Sequence, residues 1–306
     1  MSHLVAIVGP TAVGKSQLAI RLAQALDGEI VNADSRQMYR FMDIGTAKPS
    51  PEELSLVPHH VINIVNPDED FSLAQYHKLS SEAINDIQRR NKLVFLVGGS
   101  GQYVWSVVEG WVIPPVPPDL NFRRRLEKRA AKEGENELYQ ELLKVDPMAA
   151  KGISPHNLRR IIRALEVYRS AGVPISQLKH KKKPAFKILI IGLTADREKL
   201  YRRIDLRVDD MIARGLVAEV EKLLSLGYDL GLPSMSGIGY KQIGLSLKGK
   251  LTLTAAIQQI KFETHRFVRH QYTWFRLPDS RIRWFDIASD NMESGLVNLV
   301  TQFVRA

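Results

Sequence analysis

Residues 4–26 read LVAIVGPTAVGKSQLAIRLAQAL, and this segment constrains the fold more than any other part of the chain. The short apolar run Leu4–Val8 precedes a turn that contains two glycines, and the residues from Lys15 onward have the spacing of an amphipathic helix. A buried strand that leads directly into a helix is the unit from which parallel sheets are built. The segment therefore predicts an α/β fold with its first strand inside a parallel sheet.

The turn has the pattern of a phosphate-binding loop, which is glycine, four residues, glycine, lysine and serine. Gly14 permits a backbone in which successive N–H groups point inward, and the helix N-terminus and Lys15 add positive charge. The Ser16 hydroxyl is suited to a bound Mg²⁺. A tight turn that needs glycine and carries a lysine by chance is the alternative. The predicted phosphate-binding residues are Gly9, Pro10, Thr11, Ala12, Val13, Gly14, Lys15 and Ser16.

The strand that would supply a magnesium ligand in an ATPase or a kinase lacks the required carboxylate. Such enzymes usually have a strand that ends in aspartate. The corresponding segment here, LVFLVGGSG at residues 93–101, ends in glycines. This absence favours a loop that holds a departing diphosphate over one that holds a triphosphate.

The segment EIVNADSRQMY, residues 29–39, predicts a second strand with Asp34 at its carboxyl end. Ligands of open parallel sheets lie at this edge, so Asp34 is expected to face the phosphate loop. Asp34 would act as a general base or as a water-mediated magnesium ligand. The alternative is an aspartate that caps the following turn. Ser35, Arg36 and Gln37 add groups that suit recognition of a polar ligand edge.

Strand-like and helix-like segments alternate as far as residue 115, where the prolines of WVIPPVPPDL mark a boundary. Residues 120–183 are helical and charged with no convincing strand, and FKILIIGLT at residues 186–194 restores a strand. We predict a P-loop NTPase-like parallel sheet core with helices on both faces, formed by residues 1–117 and 184–306. Residues 118–183 would form an inserted all-helical domain.

Composition excludes several classes of protein. There is no cysteine, which rules out disulfides, a thiol nucleophile and a cysteine-based zinc site. No apolar run approaches the ~20 residues of a membrane span, and the first one lacks the basic residues that begin a secretion signal. We therefore expect a cytoplasmic protein. The net charge of +10 indicates a polyanionic partner such as nucleic acid, or else a basic but inert surface.

Eight segments together resemble one family. They are GPTAVGKS, NADSRQMY, MDIGTAKPS, PHHVINIV, LVGGSGQY, RRIIRALEVY, GIGYKQ and RHQYTWFR, in the order found in tRNA dimethylallyltransferases. The resemblance extends from Leu4 to Arg276, and DIGTAKP and GIGYK are more specific than the phosphate loop. The family transfers a dimethylallyl group from its diphosphate to N6 of the adenosine next to the anticodon. The resemblance implies tRNA, through its anticodon stem-loop, and dimethylallyl diphosphate as partners, with Mg²⁺ as cofactor. We expect a monomer, although the sequence does not fix the oligomeric state.

The resemblance also implies roles for three residues. Asp34 is the base that accepts the proton of the adenine amine, and Thr11 contacts the diphosphate. Arg207, in YRRIDLRVDDMIARGL, is a further diphosphate contact. The alternative for Arg207 is an exposed ion pair with Asp209 or Asp210 on its own helix.

The implied tRNA contacts lie in several separate segments. For residues 159–163 the alternative is a solvated helix face with its isoleucines in the core. Lys261, His265 and Arg269 recur at intervals of four and form a basic stripe that follows a phosphate backbone or is solvated. Lys179–Lys183 reads as a solvated linker. The implied tRNA-binding residues are Asp34, Ser35, Arg36, Gln37, Ser100, Gly101, Arg123, Arg159, Arg160, Ile161, Ile162, Arg163, Ser236, Gly237, Ile238, Gly239, Tyr240 and Lys241.

The sequence departs from the family pattern at a few positions. Serine replaces the more usual threonine at Ser16 and Ser100, and Arg159 and Ser236 stand where glutamine is common. These departures bear on individual RNA contacts. The lack of a cysteine–histidine zinc finger suggests a bacterial-type member.

Two rival functions are an ATP-dependent small-molecule or nucleoside kinase and a non-catalytic RNA-binding protein. Whether ATP or dimethylallyl diphosphate is consumed tests the kinase. The Asp34→Ala variant tests the RNA-binding protein, which would keep both RNA binding and function.

Overall fold

The computed structural model describes residues 2–114, 116–178, 180–289 and 292–306. The chain forms two compact units, one of Met1–Val108 with Pro184–Ala306 and one of Glu109–Lys183. The second unit begins nine residues before the predicted boundary at residue 118 because the segment after Glu109 pairs with the end of the insertion. The proline-rich boundary segment includes Pro115, and the predicted solvated linker includes Lys179. Both residues lie outside the described ranges.

The strands of the described residues are β1 (His3–Val8), β2 (Gly28–Asn32), β3 (His59–His60), β4 (Leu93–Val97), β5 (Trp111–Val112), β6 (His180–Lys181), β7 (Lys187–Thr194) and β8 (Ile282–Asp286). Six of them form one parallel sheet in the first unit, in the order β3-β2-β4-β1-β7-β8. The other two, β5 and β6, pair antiparallel in the second unit. The prediction of no strand between residues 120 and 183 therefore missed β6, which is two residues long.

The helices of the described residues include the one predicted after the phosphate loop. None of them combines the length and the apolar character that crossing a membrane requires. The helices are α1 (Lys15–Ala25), α2 (Pro51–Leu56), α3 (Leu73–Arg89), α4 (Gly101–Val108), α5 (Leu120–Glu133), α6 (Glu135–Val145), α7 (Pro147–Lys151), α8 (Leu158–Ala171), α9 (Ile175–Leu178), α10 (Arg197–Ala213), α11 (Leu216–Ser225), α12 (Tyr240–Leu247), α13 (Leu253–Trp274) and α14 (Met292–Arg305), with a 3₁₀ turn at Ser234–Ser236.

The central strands are buried along almost their whole length. In β1 every residue from Leu4 to Val8 is inaccessible to solvent, as expected where helices cover both faces of a parallel sheet. Leu4 pairs with Val94 on one side and with Ile188 on the other. Because β1 and β7 are neighbours, the two parts of the sequence that flank the insertion share one sheet. The predicted α/β fold is confirmed.

All six strands point the same way, so their carboxyl ends meet at one edge of the sheet. β1 ends at Val8 before the phosphate loop, and β2 ends two residues before Asp34. β4 ends before Gly98, where a Cβ atom would lie 2.1 Å from the carbonyl oxygen of Ala33. The backbones that leave β2 and β4 therefore touch, and only glycine fits at this contact. This edge of the sheet positions the site.

The second unit has its own apolar core, built from helices α5 to α9. Glu166 is one of its buried polar groups, at 2% exposure. The carboxylate accepts hydrogen bonds from the Asp119 N–H at 2.7 Å, from Arg123 at 2.8 Å and from Arg163 at 2.5 Å. Burial acts to raise the pKa of Glu166, but the bonds from the two arginines and Asp119 hold it below its ordinary value, so the group stays ionised.

The predicted tRNA contacts in this unit differ in accessibility. Arg159 and Arg160 are exposed, whereas Ile161 and Ile162 are 0% and 3% exposed and belong to the core of the unit. The prediction is therefore wrong for these two side chains, because they form the apolar face of α8. Arg123 and Arg163 are held by Glu166, and Arg163 also donates to the carbonyl oxygen of Val116 at 2.9 Å.

We expect Glu166→Ala to lower the free energy of local unfolding of the second unit by about 3 kcal/mol, because the substitution leaves two guanidinium groups without their buried partner. Hydrogen exchange of the α5 and α8 amides, compared with the β1 amides of the same sample, measures this change. Glu133→Ala is the matched control, since Glu133 makes an exposed ion pair with Arg129 at 3.6 Å. Equal exchange in the two variants would contradict the prediction.

Candidate active site

The phosphate loop joins β1 to α1 and has the backbone that its glycines predict. Gly14 has φ +96° and Ala12 has φ +63°, both in the left-handed region. At Gly9, φ is +139° and a Cβ atom would lie 2.4 Å from the carbonyl oxygen of Leu193, which excludes other residues. The Lys15 Nζ donates to the carbonyl oxygen of Pro10 at 2.7 Å. The loop therefore holds its lysine within the turn at the start of α1.

A cavity of about 380 Å³ lies at the carboxyl edge of the sheet, in front of this loop. Its volume is within the range of about 300–1,000 Å³ that is typical of small-ligand sites. Ile30, Ile62, Val97 and Met211 supply apolar parts of its wall. The charged and hydroxyl groups among its lining residues include Thr11, Lys15, Ser16, Asp34, Lys48, Arg203, Arg207, Asp210 and Arg214. The structure thus brings the three predicted catalytic residues and the predicted metal ligand Ser16 to one cavity.

Asp34 caps its turn and also faces the cavity. Its Oδ1 accepts a hydrogen bond from the Arg36 N–H at 2.8 Å, whereas no hydrogen bond within the described part of the chain occupies Oδ2. Asn32 fixes the backbone of Asp34, since its Oδ1 accepts from the Asp34 N–H at 3.1 Å and its Nδ2 donates to the Asp34 carbonyl oxygen at 3.2 Å. The two interpretations of Asp34 are therefore compatible, because the cap orients a carboxylate that keeps one free oxygen.

Arg207 does not make the ion pair that was the alternative to a functional role. Asp209 pairs with Lys261 at 2.7 Å, and Asp210 pairs with Arg214 at 3.6 Å. Among residues that the structure describes, Arg207 has no ion pair. Burial lowers the pKa of Arg207, and the nearby Asp34 carboxylate opposes that shift. Arg207 is therefore a cavity-facing guanidinium that interacts electrostatically with Asp34.

Lys15 is in the same electrostatic environment. Burial lowers the pKa of Lys15 to about 8, Asp34 acts against this shift, and Arg207 adds to it. Two further arginines that sequence reasoning missed, Arg203 and Arg214, line the cavity. A Cβ atom on Gly14 would lie 3.8 Å from Nη2 of Arg203. The cavity lining has five lysine and arginine side chains against the three carboxylates of Asp34, Glu53 and Asp210, and this excess of cations is suited to a small polyanion.

The loops after β2 and β4 are bonded to each other. The Ser100 Oγ accepts a hydrogen bond from the Ser35 N–H at 2.9 Å and donates to the Ser35 Oγ at 3.2 Å. Gly101 begins α4, and a Cβ atom there would lie 2.3 Å from the Trp274 ring. The Gln37 side chain is 9% exposed and donates to the Ala47 carbonyl oxygen at 3.1 Å. Ser35 and Ser100 are half-buried and form part of the surface around Asp34, whereas Gln37 and Gly101 are buried.

Arg36 extends that surface to the predicted glycine-rich segment 236–241. Its guanidinium donates to the carbonyl oxygens of Pro233 and Ser234 at 2.8 and 3.2 Å and to the Ser236 Oγ at 3.4 Å. Ser236 and Lys241 are exposed and Ile238 is half-buried, while Gly237 and Gly239 are buried. The exposed members of the segment remain accessible to a ligand.

Tyr240 is the exception, because it is 1% exposed and its side chain cannot contact RNA. Its hydroxyl donates to Oε1 of Glu219 at 2.6 Å. Glu219, which sequence reasoning missed, also accepts from the N–H groups of Asp43, Ile44 and Gly45 at 2.8–3.1 Å. A Cβ atom on Gly45 would lie 2.6 Å from the Tyr240 ring. Glu219 thus connects the MDIGTAKPS and GIGYKQ segments, although its place in an ordinary amphipathic helix gives no local signal.

The basic residues of the α13 stripe each contact a side chain of another helix, although Arg269 stays exposed to solvent. Lys261 pairs with Asp209, and His265 Nε2 lies 3.0 Å from the Asp205 carboxylate. Arg269 donates to the Tyr201 hydroxyl at 3.1 Å. Each of the three side chains therefore connects α13 to α10. The acidic partners lie more than fifty positions earlier in the chain, so spacing within α13 could not indicate them.

Comparison with known proteins identifies the family. A family model described as IPP transferase matches residues 37–277, which begins after the phosphate loop and Asp34. The tRNA dimethylallyltransferase of Dehalococcoides mccartyi is 49% identical over 304 residues, covering 99% of this chain and 93% of that protein. The tRNA dimethylallyltransferase of Roseiflexus sp. strain RS-1 is 50% identical over 306 residues and covers 100% of both chains.

Solved structures agree with these relatives. The full-length tRNA isopentenylpyrophosphate transferase from Bacillus halodurans superposes with a TM-score of 0.73 at 40% identity, covering 99% of this chain and 96% of that one. A eukaryotic dimethylallyltransferase acting on tRNA superposes with a TM-score of 0.86 at 29% identity, covering 100% of this chain and 80% of that one. With relatives this similar over its whole length, the chain belongs to the tRNA dimethylallyltransferase family.

Proposed function

We propose that this protein transfers a dimethylallyl group from dimethylallyl diphosphate to N6 of the adenosine 3′ to the anticodon in tRNA, releasing diphosphate. The observation that carries the proposal is the convergence of the phosphate loop, Arg207 and Asp34 on one cavity. The cavity combines a cationic end suited to a diphosphate with apolar wall residues suited to a five-carbon group. Family membership supports the same reaction.

The residues of the cavity suggest how the reaction proceeds. The bond between the allylic C1 and the diphosphate oxygen breaks as a bond forms between C1 and N6 of the adenine. The charge that develops on the departing diphosphate is stabilised by Lys15, by Arg207 and by N–H and hydroxyl groups of the phosphate loop. The free Oδ2 of Asp34 takes the proton that N6 loses. A closed site must also exclude water, which would otherwise capture the allylic carbon.

Mg²⁺ is the cofactor that this reaction implies, and the cavity offers it few protein ligands. No group of three or more histidine, aspartate or glutamate side chains suited to a metal occurs in the described ranges. The Ser16 hydroxyl lines the cavity and would hold the ion together with diphosphate oxygens, which fits a cation that takes one or two protein ligands and keeps several waters. When bound, Mg²⁺ would neutralise part of the charge of the diphosphate.

The acceptor adenosine must leave its stack to reach the cavity, because a stacked base cannot approach a recessed diphosphate. Accessible groups around Asp34, namely Ser35, Ser100, Ser236 and Lys241, are the residues that we propose to read the base and its neighbours. In the second unit the exposed Arg159 and Arg160 are candidates for backbone contacts. We propose that the reaction takes place in the cytoplasm and that a monomer carries it out.

The test is to incubate the purified protein with tRNA from a strain that lacks the modification, supplying either dimethylallyl diphosphate or ATP. Mass spectrometry of the digested nucleosides is expected to show adenosine heavier by one dimethylallyl group only with the prenyl donor. Consumption of ATP without a change in the nucleosides would support a kinase. Binding of tRNA with consumption of neither donor would support a non-catalytic RNA-binding protein.

We expect the pH dependence of donor use to report Lys15. Because its pKa is about 8 in the free protein, Lys15 loses its charge as the pH rises through that value. The log of kcat/KM for dimethylallyl diphosphate should therefore be level just below pH 8 and fall by about tenfold per pH unit above it. The Lys15→Arg variant keeps its charge and should lack this fall. A level profile to pH 9.5 in the unsubstituted protein would contradict the assignment.

A further inference from the structure

Gln271, near the carboxyl end of α13, is a buried amide that bonds to two loops of the cavity. Its side chain is 3% exposed. Its Oε1 accepts a hydrogen bond from the Thr11 backbone N–H at 2.8 Å, and its Nε2 donates to the carbonyl oxygen of Gly99 at 3.2 Å. One helix side chain therefore connects the phosphate loop to the loop that follows β4.

The chemistry of the two partners determines what residue type can make this bridge. A backbone N–H only donates and a carbonyl oxygen only accepts, so the bridging group must do both. A glutamine amide satisfies both partners, and its orientation is fixed by them. An ionised glutamate would satisfy only the Thr11 N–H and would bring a negative charge close to a loop that binds an anion. A methionine of similar size would satisfy neither.

The space around the amide is built for it. A Cβ atom on Gly99 would lie 2.2 Å from Nε2 of Gln271, so the bridge requires glycine there. The end of α13 is fixed as well, because the Trp105 Nε1 donates to the carbonyl oxygen of Trp274 at 3.1 Å and the Trp274 ring packs on Gly101. Gly99 and the fixed end of α13 therefore together determine where the amide lies.

The second loop leads directly to the proposed base. Ser100 follows Gly99, and its N–H donates to the carbonyl oxygen of Ala33 at 3.2 Å. Its Oγ accepts from the N–H of Ser35 at 2.9 Å. Asp34 lies between these two bonded residues. A continuous series of hydrogen bonds thus extends from Thr11 through Gln271 and Ser100 to the segment that carries Asp34.

We propose that Gln271 is a positioning residue that sets the separation between Thr11, at the diphosphate end of the cavity, and Asp34, at the acceptor end. This inference rests on the proposed function, because it assigns those two ends to the donor and to the adenine. The Thr11 N–H is engaged by the amide, so the diphosphate is held by the other N–H groups, the hydroxyls and the cations. A displacement of about 1 Å between reacting groups costs about 10²-fold in rate, so the bridge matters to transfer.

The first test compares Gln271→Met with the full-length protein in the transfer reaction. We expect kcat/KM for dimethylallyl diphosphate to fall by about 10- to 100-fold, with KM for tRNA within about twofold of the unsubstituted value. Gln258→Met is the matched control, since Gln258 is exposed on the same helix. Donor kinetics that are unchanged in Gln271→Met would overturn the proposal, and so would an equal loss of affinity for tRNA.

The second test uses Gln271→Glu and remains informative if the methionine variant does not fold. Burial raises the pKa of an introduced carboxyl group, and its protonated form both donates and accepts like the amide. The ratio of variant to unsubstituted kcat/KM is therefore expected to rise by at least about tenfold as the pH falls and the carboxyl gains its proton. The comparison is made at and below about pH 7, where Lys15 is protonated in both proteins, so the ratio reports the introduced carboxyl group. A ratio that does not change with pH would overturn the proposal.

A binding measurement separates failure of this inference from failure of the proposed function. Inorganic diphosphate is titrated into each protein, and Gln271→Met is expected to bind it about tenfold more weakly than Gln258→Met, because the loop is no longer held. If the unsubstituted protein transfers no dimethylallyl group, the proposed function fails while this comparison still decides the role of the bridge. Equal diphosphate affinity in the two variants would overturn that role.

Discussion

Replacing Asp34 with asparagine is expected to lower kcat by about 10²- to 10⁴-fold, because the variant has no base to accept the proton from N6 of the adenine. The substitution is nearly isosteric, and its Oδ1 still accepts the hydrogen bond from the Arg36 N–H that is 2.8 Å long in the structure. The fold of the turn and the affinity for tRNA should therefore stay unchanged. Single-turnover transfer at saturating donor and tRNA, with tRNA binding measured separately, checks both expectations.

The pH of that measurement matters because Asp34 also acts on Lys15. The Asp34 carboxylate opposes the lowering of the Lys15 pKa, so its loss brings Lys15 closer to neutrality. Working near pH 7, below the Lys15 pKa of about 8 in the unsubstituted protein, limits this loss of charge. Asp210→Asn is the control, since Asp210 lines the same cavity but pairs with Arg214. It should change kcat by less than about fivefold, which corresponds to ~1 kcal/mol. An Asp34→Asn variant that is as active as this control would rule out the proposed base.

The parts of the site that could be predicted from the sequence are those with local requirements. The phosphate loop needs left-handed glycines between a strand and a helix, and all of these lie within a few residues of Lys15. Asp34 could be placed at the carboxyl edge of the sheet because it follows a predicted strand, and all strands of a parallel sheet end at that edge. The fold followed from the same logic, since alternating strands and helices leave few other arrangements.

The parts that could not be predicted depend on partners that lie far away in the chain. Gln271 is one polar residue on a long helix, and only the packing of α13 on Gly99 shows that its amide reaches Thr11. Lys261 was assigned to a stripe that follows a phosphate backbone or is solvated, and its pairing with Asp209 could not be predicted because Asp209 is 52 positions earlier. Tyr240 was assigned to the RNA surface from its segment, although its side chain is buried and its hydroxyl donates to Glu219. The strand at His180–Lys181 is too short for any periodicity.

For Arg207, the structure argues against the alternative that the sequence left open. The sequence allowed an ion pair with Asp209 or Asp210, and both of these carboxylates have other partners. We expect Arg207→Gln to lower kcat/KM for dimethylallyl diphosphate by about 10²- to 10³-fold, the usual effect of removing one preorganised donor from a developing negative charge. Steady-state kinetics with donor and tRNA varied in turn measures the change, and KM for tRNA should stay the same.

Arg202→Gln provides the comparison that makes this expectation specific. Arg202 lies on the same helix, its side chain is 79% exposed, and it forms a long ion pair with Glu198 at 3.9 Å. Both variants remove one positive charge from α10, so a general loss of attraction for polyanions would weaken the two proteins equally. A contact between Arg207 and the leaving diphosphate would instead reduce donor use in Arg207→Gln alone and weaken its inhibition by inorganic diphosphate. Arg207→Lys keeps the positive charge but lacks the planar guanidinium group. If the geometry of the guanidinium contributes to the contact, we expect this variant to recover only part of the kcat/KM that Arg207→Gln loses. Similar donor kinetics in the two glutamine variants would show that Arg207 contributes only its charge.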